Sequence, residues 1–334
     1  MKRRDLLAAL GGVVVWPYSI RAQTVNQRAL PQVAILGSDF VGGYDFTSNV
    51  APLLSEFDLF EGRDFRTEAV FATGHDEFAA ELGKRPVAVI VVQGERTIKT
   101  AKDATGTIPI VMVADVDPVA HGLVKNLARP GGNITGVALP TDELVSKRVE
   151  LLKELIPGLV RVGILTNPDD QGAESERKAV IGATSRVGLA SELLPVRSMA
   201  DLESAFALAR QSVCGAIMVL PDRTIFGLNT RVAGLAAAMR LPTMYPNRLY
   251  VGRLSYMGYA TDVREGLISY GPIPIEVRRR VANFVARILK GAKPGDLPVE
   301  QPADFELAIN LKVARRLDLV VPESLLARAE VVIE

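Results

Sequence analysis

Cysteine and histidine are scarce in this chain of 334 residues: one cysteine, Cys214, and two histidines, His75 and His121. A single thiol forms no internal disulfide, and so few sulfur and imidazole ligands argue against a protein zinc site. Cys214 stands just before the apolar run 215–220 and reads as a small buried apolar residue. Catalytic signatures are also missing. Gly37-Ser-Asp is not a Gly-x-Ser-x-Gly elbow, and no phosphate loop or dinucleotide fingerprint follows the first strand-like run. The histidines have no nucleophile at a recognisable spacing. Basic runs are absent too. Residues 1–22 carry four cations and one anion, so the remainder has a formal charge of −2 and no electrostatic footprint for nucleic acid. What is present is ordinary for a folded protein: 48% apolar and 23% charged residues, in a chain long enough for two domains.

The N-terminus reads as a targeting segment. Lys2-Arg3-Arg4 is followed by the apolar stretch 6–15, and Ile20-Arg21-Ala22 precedes Gln23, the three-part order of a secretory signal peptide. Arg3-Arg4-Asp5-Leu6-Leu7 fits the twin-arginine pattern. The apolar part is well short of the ~20 residues that a bilayer span requires, and no cysteine nearby offers a lipid anchor. Export to the periplasm with cleavage near Ala22 is expected.

From Val33 onward, short β-branched runs alternate with helical stretches, the mark of parallel βαβ units. Strands are expected over 33–36, 65–71, 87–92 and 110–113, with helices over 48–57, 76–84 and through Lys102. The run 110–113 stops at Asp115-Val116-Asp117-Pro118, where two carboxylates and a proline force the chain out of a buried sheet. In open α/β sheets such carboxyl ends are where ligands bind. Pro130-Gly131-Gly132-Asn133 then turns the chain toward a second lobe. There the pattern repeats: helices over 144–155, 174–187, 201–211 and 229–239, strands over 162–165, 193–196, 216–220 and 242–245. Val33 faces Val162, Val87 faces Gly215 and Ile108 faces Leu241, at offsets of 129, 128 and 133, which favours two halves built alike. A strand over 266–271, a helix over 275–289 with Val277, Val281, Phe284, Val285 and Ile288 as its apolar stripe, a strand over 305–311 and a closing helix over 311–317 complete the chain. The expected fold is α/β: two Rossmann-like lobes with parallel sheets joined by a multi-strand hinge. Lobe 1 takes 31–137 plus about 270–298, lobe 2 takes 141–248 plus about 303–334, and 249–269 is the inter-lobe connection.

The motifs Asn126-Leu-Ala-Arg-Pro-Gly-Gly-Asn-Ile-Thr-Gly-Val, Lys147-Arg-Val-Glu-Leu-Leu-Lys-Glu-Leu-Ile-Pro, Leu267-Ile-Ser-Tyr-Gly and Ala286-Arg-Ile-Leu-Lys-Gly-Ala-Lys-Pro-Gly-Asp-Leu-Pro-Val-Glu-Gln-Pro carry a family resemblance. So do the leader and the tail motifs Phe305-Glu-Leu-Ala-Ile-Asn-Leu-Lys and Val321-Pro-Glu-Ser-Leu-Leu-Ala-Arg-Ala. Over nearly its whole length the sequence resembles the solute-binding proteins of ABC transporters with a type I periplasmic binding fold, in the subfamily of tryptophan- and tyrosine-type binding proteins. Two stretches depart from that pattern: 40–71 is shorter than usual, and 250–263 is rich in tyrosine where the family is rich in glycine.

The resemblance implies a non-catalytic receptor, monomeric, without cofactor or metal, that holds a small solute between its lobes and presents it to an ABC permease. It places the solute on loops after the strands: Ser38, Asp39, Gln93, Gly94, Asp115 and Asp117 in the first lobe, Asn167, Asp222 and Asn247 in the second, and Tyr270 at the hinge. Amides and helix N-termini suit a carboxylate, and an aspartate suits an ammonium, so an amino acid-like solute or small carboxylate is expected. Aromatics near the mouth, Phe40, Tyr44, Tyr250, Tyr256 and Tyr259, offer stacking surfaces or serve as partly buried scaffold. Each polar position has a structural reading too. Asp115 and Asp117 cap a turn before Pro118, Asn167-Pro168 forms a turn, and Ser38 and Asp222 cap helices. Two rival functions stay open: a ligand sensor partnering a kinase, and a two-lobed hydrolase or isomerase using Asp115 and Asp117 as an acid–base pair.

Overall fold

The computed structural model describes residues 30–37, 49–71, 75–82, 86–139, 141–169, 174–256 and 259–334. The leader, Ser38, Asp39, Phe40 and Tyr44 lie outside them. In the first half, β1 (Gln32–Gly37), β2 (Arg66–Phe71), β3 (Val87–Gln93), β4 (Ile110–Ala114) and β5 (Ile134–Ala138) alternate with α1 (His75–Leu82) and α2 (Glu95–Ala104). Then come α3 (Thr141–Leu155), β6 (Arg161–Thr166), α4 (Glu174–Arg186), β7 (Ala190–Pro195), α5 (Leu202–Gln211), β8 (Ala216–Val219), α6 (Arg223–Gly227), α7 (Asn229–Ala238) and β9 (Thr243–Tyr245). The last part holds β10 (Val251–Tyr256), β11 (Tyr259–Glu265), β12 (Ile268–Pro272), α8 (Pro274–Leu289), β13 (Phe305–Asn310), α9 (Leu311–Arg316), α10 (Glu323–Leu326) and β14 (Val331–Ile333). Among the described residues no helix is long and apolar enough to cross a membrane.

Two α/β lobes result. The first sheet has the order β2-β1-β3-β4-β5 and is parallel throughout. The second has the order β14-β13-β12-β9-β8-β6-β7, parallel except where β13 runs against β12. The repeat offsets have a direct counterpart: β1, β3 and β4 hold the same places in the first sheet as β6, β8 and β9 in the second. Central strands are apolar on both faces because helices cover both; every residue of β4, Ile-Val-Met-Val-Ala, is buried. One face of the first sheet is closed by α8. Its stripe of Val277, Val281, Phe284, Val285 and Ile288 packs with Val89, Val111 and Val137, each such burial contributing roughly 1.5–3 kcal/mol. A helix from late in the sequence thus completes the first lobe.

Among the described residues the chain crosses between lobes three times. It leaves the carboxyl end of β5 at Leu139 and enters α3 at Thr141. It returns from the carboxyl end of β12 across Ile273 into α8. After α8, Val299 and Glu300 run beside β5, with Glu300 bonded to Gly136 and Ala138 at 2.9 Å each, and the chain then passes to β13. Each crossing leaves or reaches a sheet at the edge where its parallel strands end. Segments this short keep the two carboxyl edges near each other.

Three local expectations change. The helix over 48–57 is a 3-10 helix, Ala51–Phe57, with proline in its first turn. The return to the first lobe comes at Pro272–Pro274 rather than within 249–269, because the second sheet claims β12, pairing Ser269 with both Tyr245 and Ala308. β10 and β11 instead pair with each other in antiparallel register. The tail adds β14 beyond the expected closing helix.

A close backbone contact lies at Gly136, opposite Met112 in the β4–β5 ladder. A Cβ there would lie 2.1 Å from the Met112 carbonyl oxygen, at a φ of +137°. Gly136→Ala is expected to destabilise the fold by on the order of 3 kcal/mol in urea unfolding, whereas Gly158→Ala, with open space around its Cβ, changes stability by less than about 0.5 kcal/mol.

Candidate functional site

On the first lobe's carboxyl edge, β3 ends in Gln93 and Gly94. Gly94 takes φ +85°, a backbone state that glycine enters without cost, and opens α2 with no side-chain cap on its first-turn amides. Those amides and the helix dipole form an anion-receptive end. The Gly94 N–H donates to the Val113 carbonyl at 3.1 Å, tying the tip of β3 to β4. Glu95 strengthens this link: its Oε1 meets His121 Nδ1 at 2.7 Å and also accepts from Lys99. The loop after β3 and the loop after β4 are thereby joined. Burial alone would raise the Glu95 carboxyl, but the bonds from Lys99 and His121 outweigh it and hold the group below the ordinary value of 4.5.

Asp115 is half-buried at the tip of β4, and its carbonyl accepts from Thr141 Oγ1 at 2.5 Å. The same loop that carries Asp115 is thus bonded to the first residue of α3, in the other lobe. Asp117 is exposed, and its Oδ1 accepts the N–H groups of Val119 at 2.8 Å and Ala120 at 3.1 Å, so its carboxylate caps the turn at Pro118.

Asn167, Asp222 and Asn247 follow β6, β8 and β9, three neighbours in the second sheet, and so stand side by side on its carboxyl edge. Each spends one side-chain oxygen on its own loop. Asn167 Oδ1 accepts from Asp169 N–H at 3.1 Å, Asp222 Oδ1 from Ile225 N–H at 2.9 Å and Asn247 Oδ1 from Leu249 N–H at 2.9 Å. The turn and cap readings of these residues therefore hold, and they leave the loops in fixed conformations. Asp222 is buried. Tyr270 sits in β12 rather than in a loop, with its half-buried ring 6.1 Å from that of Phe305. Tyr250 is buried scaffold, stacked on Tyr245 at 5.2 Å and edge-on to Phe226 at 5.0 Å.

Local sequence patterns do not register two ion pairs at this edge, one buried on both sides and one with a half-exposed arginine. Arg148 on α3 meets Glu176 on α4 at 2.9 Å, both nearly inaccessible. Burial pushes the Glu176 carboxyl up while Arg148 pulls it down. Glu306 on β13, 4% exposed, lies 3.4 Å from Arg248 Nε, one residue past Asn247; burial raises its carboxyl too, against the pull of Arg248. A signal for Arg148 existed: it falls within the stripe Leu144, Val145, Val149, Leu151, Leu152 of α3, where a charge is out of place unless paired.

A family model described as ABC transporter substrate binding protein matches residues 77–333. A curated relative, the tyrosine-binding protein of Clostridioides difficile (strain R20291), is 28% identical over 225 residues, 66% of this chain. The match spans 60% of that relative's length. Among solved structures, an ABC domain in complex with L-Trp from Streptococcus pneumoniae has a TM-score of 0.73 at 23% identity, covering 91% of this chain and 100% of that one. A conserved domain protein from Vibrio cholerae has a TM-score of 0.73 at 26% identity, covering 90% and 99%.

The Glu95 arrangement has a pH signature. A carboxyl held below its unfolded value adds stability that is full above 4.5 and is lost as pH falls through the lower folded value. The stability difference between the wild type and Glu95→Gln, measured by urea unfolding, is expected to shrink as pH goes from about 5 to about 3.

Proposed function

The chain belongs to the family of ABC transporter substrate binding proteins, and from that premise we propose that it is an exported receptor that captures an amino acid-like solute between its lobes and delivers it to an inner-membrane permease. It is a binding protein and not an enzyme. The observation that supports the reading is a pair of strand-end edges joined by short passages, one bearing Gln93, Gly94 and Asp115, the other Asn167, Asp222 and Asn247. The uncapped first turn of α2 receives the solute's carboxylate. The buried charge of Asp222 receives its ammonium, by a charge-assisted bond. Contacts from the second edge form only when the lobes close, so the solute stabilises the closed form. The relatives' ligands, tyrosine and L-Trp, support an amino acid. The leader supports export with cleavage near Ala22, and the protein works as a monomer in the periplasm.

Thermal-shift screening of the chain from residue 23 onward, against L-tyrosine, L-tryptophan, the other amino acids and small carboxylates, tests this. An amino acid present at about 100 times its Kd is expected to add about 2.7 kcal/mol and raise the melting point by several degrees. A folded chain whose melting point no amino acid or carboxylate moves would overturn the reading. Asp222→Asn keeps the capping oxygen and removes the charge; it is expected to weaken an amino acid hit by roughly tenfold or more, while Asp117→Asn leaves affinity unchanged.

A further inference from the structure

Arg148 touches three separate parts of the second lobe's carboxyl edge, and it is itself buried, at 5% exposure. Its Nε donates to the Tyr270 carbonyl at 2.8 Å, its Nη2 to the Pro246 carbonyl at 3.1 Å, and its Nη1 to Glu176 Oε1 at 2.9 Å. Tyr270 lies two residues before the end of β12, where the chain leaves for the first lobe. Pro246 immediately precedes Asn247. Glu176 is in the first turn of α4 beside Arg177, whose Nη1 donates to the Asn167 carbonyl at 3.0 Å. We propose that Arg148 is a positioning residue for solute capture: its guanidinium holds the hinge strand and the loops carrying Asn167 and Asn247 as one unit. This rests on the reading that the solute is gripped by those loops.

The local geometry explains why an arginine is required. The pairing of β9 with β12 runs only through Met244–Ile268 and Tyr245–Ser269. The next residue on β9 is Pro246, which has no N–H to extend the ladder. Arg148 takes over at that point, bonding the next carbonyl on each strand. The strands are pressed together there: a Cβ on Gly271 would sit 1.9 Å from the Pro246 carbonyl oxygen and 3.4 Å from Arg148 Nη2. Only a planar fork with several fixed donors reaches two carbonyls and a carboxylate at once; an ammonium is a compact point charge on a more flexible stem. Burial of such a pair is weak evidence for stability, because an apolar pair of similar volume often stabilises as well or better. Its specific contribution is registration of the parts it joins.

Hydrogen–deuterium exchange of the chain from residue 23, without solute, tests this directly. Arg148→Lys is expected to leave α5 and α7 unchanged and to speed exchange at least tenfold in 247–250 and 269–273. Arg148→Met shows the same pattern, and should it fail to fold, Arg148→Lys decides. The double variant Arg148→Met/Glu176→Met separates positioning from simple packing: it removes the buried charges together, so global stability recovers, yet the two segments still exchange fast. Unchanged exchange in both segments, a uniform rise across the second lobe, or restored protection in the double variant would overturn the proposal. A second arm uses L-tyrosine as the probe. If the wild type binds it, Arg148→Lys is expected to bind at least tenfold more weakly, and equal affinity would overturn the proposal. If the wild type does not bind it, that result bears on the proposed solute, while the exchange arm still decides the role of Arg148.

Discussion

The rest of the structure depends on strand direction. All strands of the first sheet, and β6, β7, β8, β9 and β12 of the second, run parallel within their sheets. A parallel sheet gathers its strand ends on one edge, and the helix or turn that follows each end presents backbone N–H groups there. Among the described residues, three short passages then hold the two edges near each other. Strands buried on both faces are largely apolar, and the candidate site residues Gln93, Asp115, Asn167, Asp222 and Asn247 stand at or just past strand ends. The site is a consequence of the fold's direction before it is a matter of any one residue.

The edges are stiffened by the same side chains that sequence alone leaves between turn-former and solute contact. Asp117, Asn167, Asp222 and Asn247 each bind their own loop through one oxygen. Loops fixed before the solute arrives do not have to be ordered by it, which lowers the entropy cost of binding. The Glu95–His121 pair does the same on the first lobe by joining two loops. Rigid edges on two lobes that share only short crossings are the ingredients of hinge closure.

Much of this was legible from residue patterns. The β-branched runs, the apolar stripe of α8 and the repeat offsets are local or periodic signals, and they lead to most of the elements and to two halves built alike. What escaped notice was set by distant partners. β10 and β11 lack an alternating apolar pattern, and their residues read as a linker. β12 belongs to the second sheet through Tyr245 and Ala308, 24 and 39 residues away, so the return to the first lobe was expected too early. The resemblance places Tyr270 at the hinge, whereas it lies within β12; the glycine after it, Gly271, is where the strand closes on Pro246. Arg148 meets its three partners at separations of 28, 98 and 122 residues, which no local window can register.

The central claim is that one solute is held by both carboxyl edges at once. A structure of the chain from residue 23 onward, solved with a bound amino acid, tests it most directly. The account predicts that the solute touches Gly94 or Asp115 on one side and Asp222 or Asn247 on the other. A solute bound to a single lobe, away from these strand ends, would contradict it.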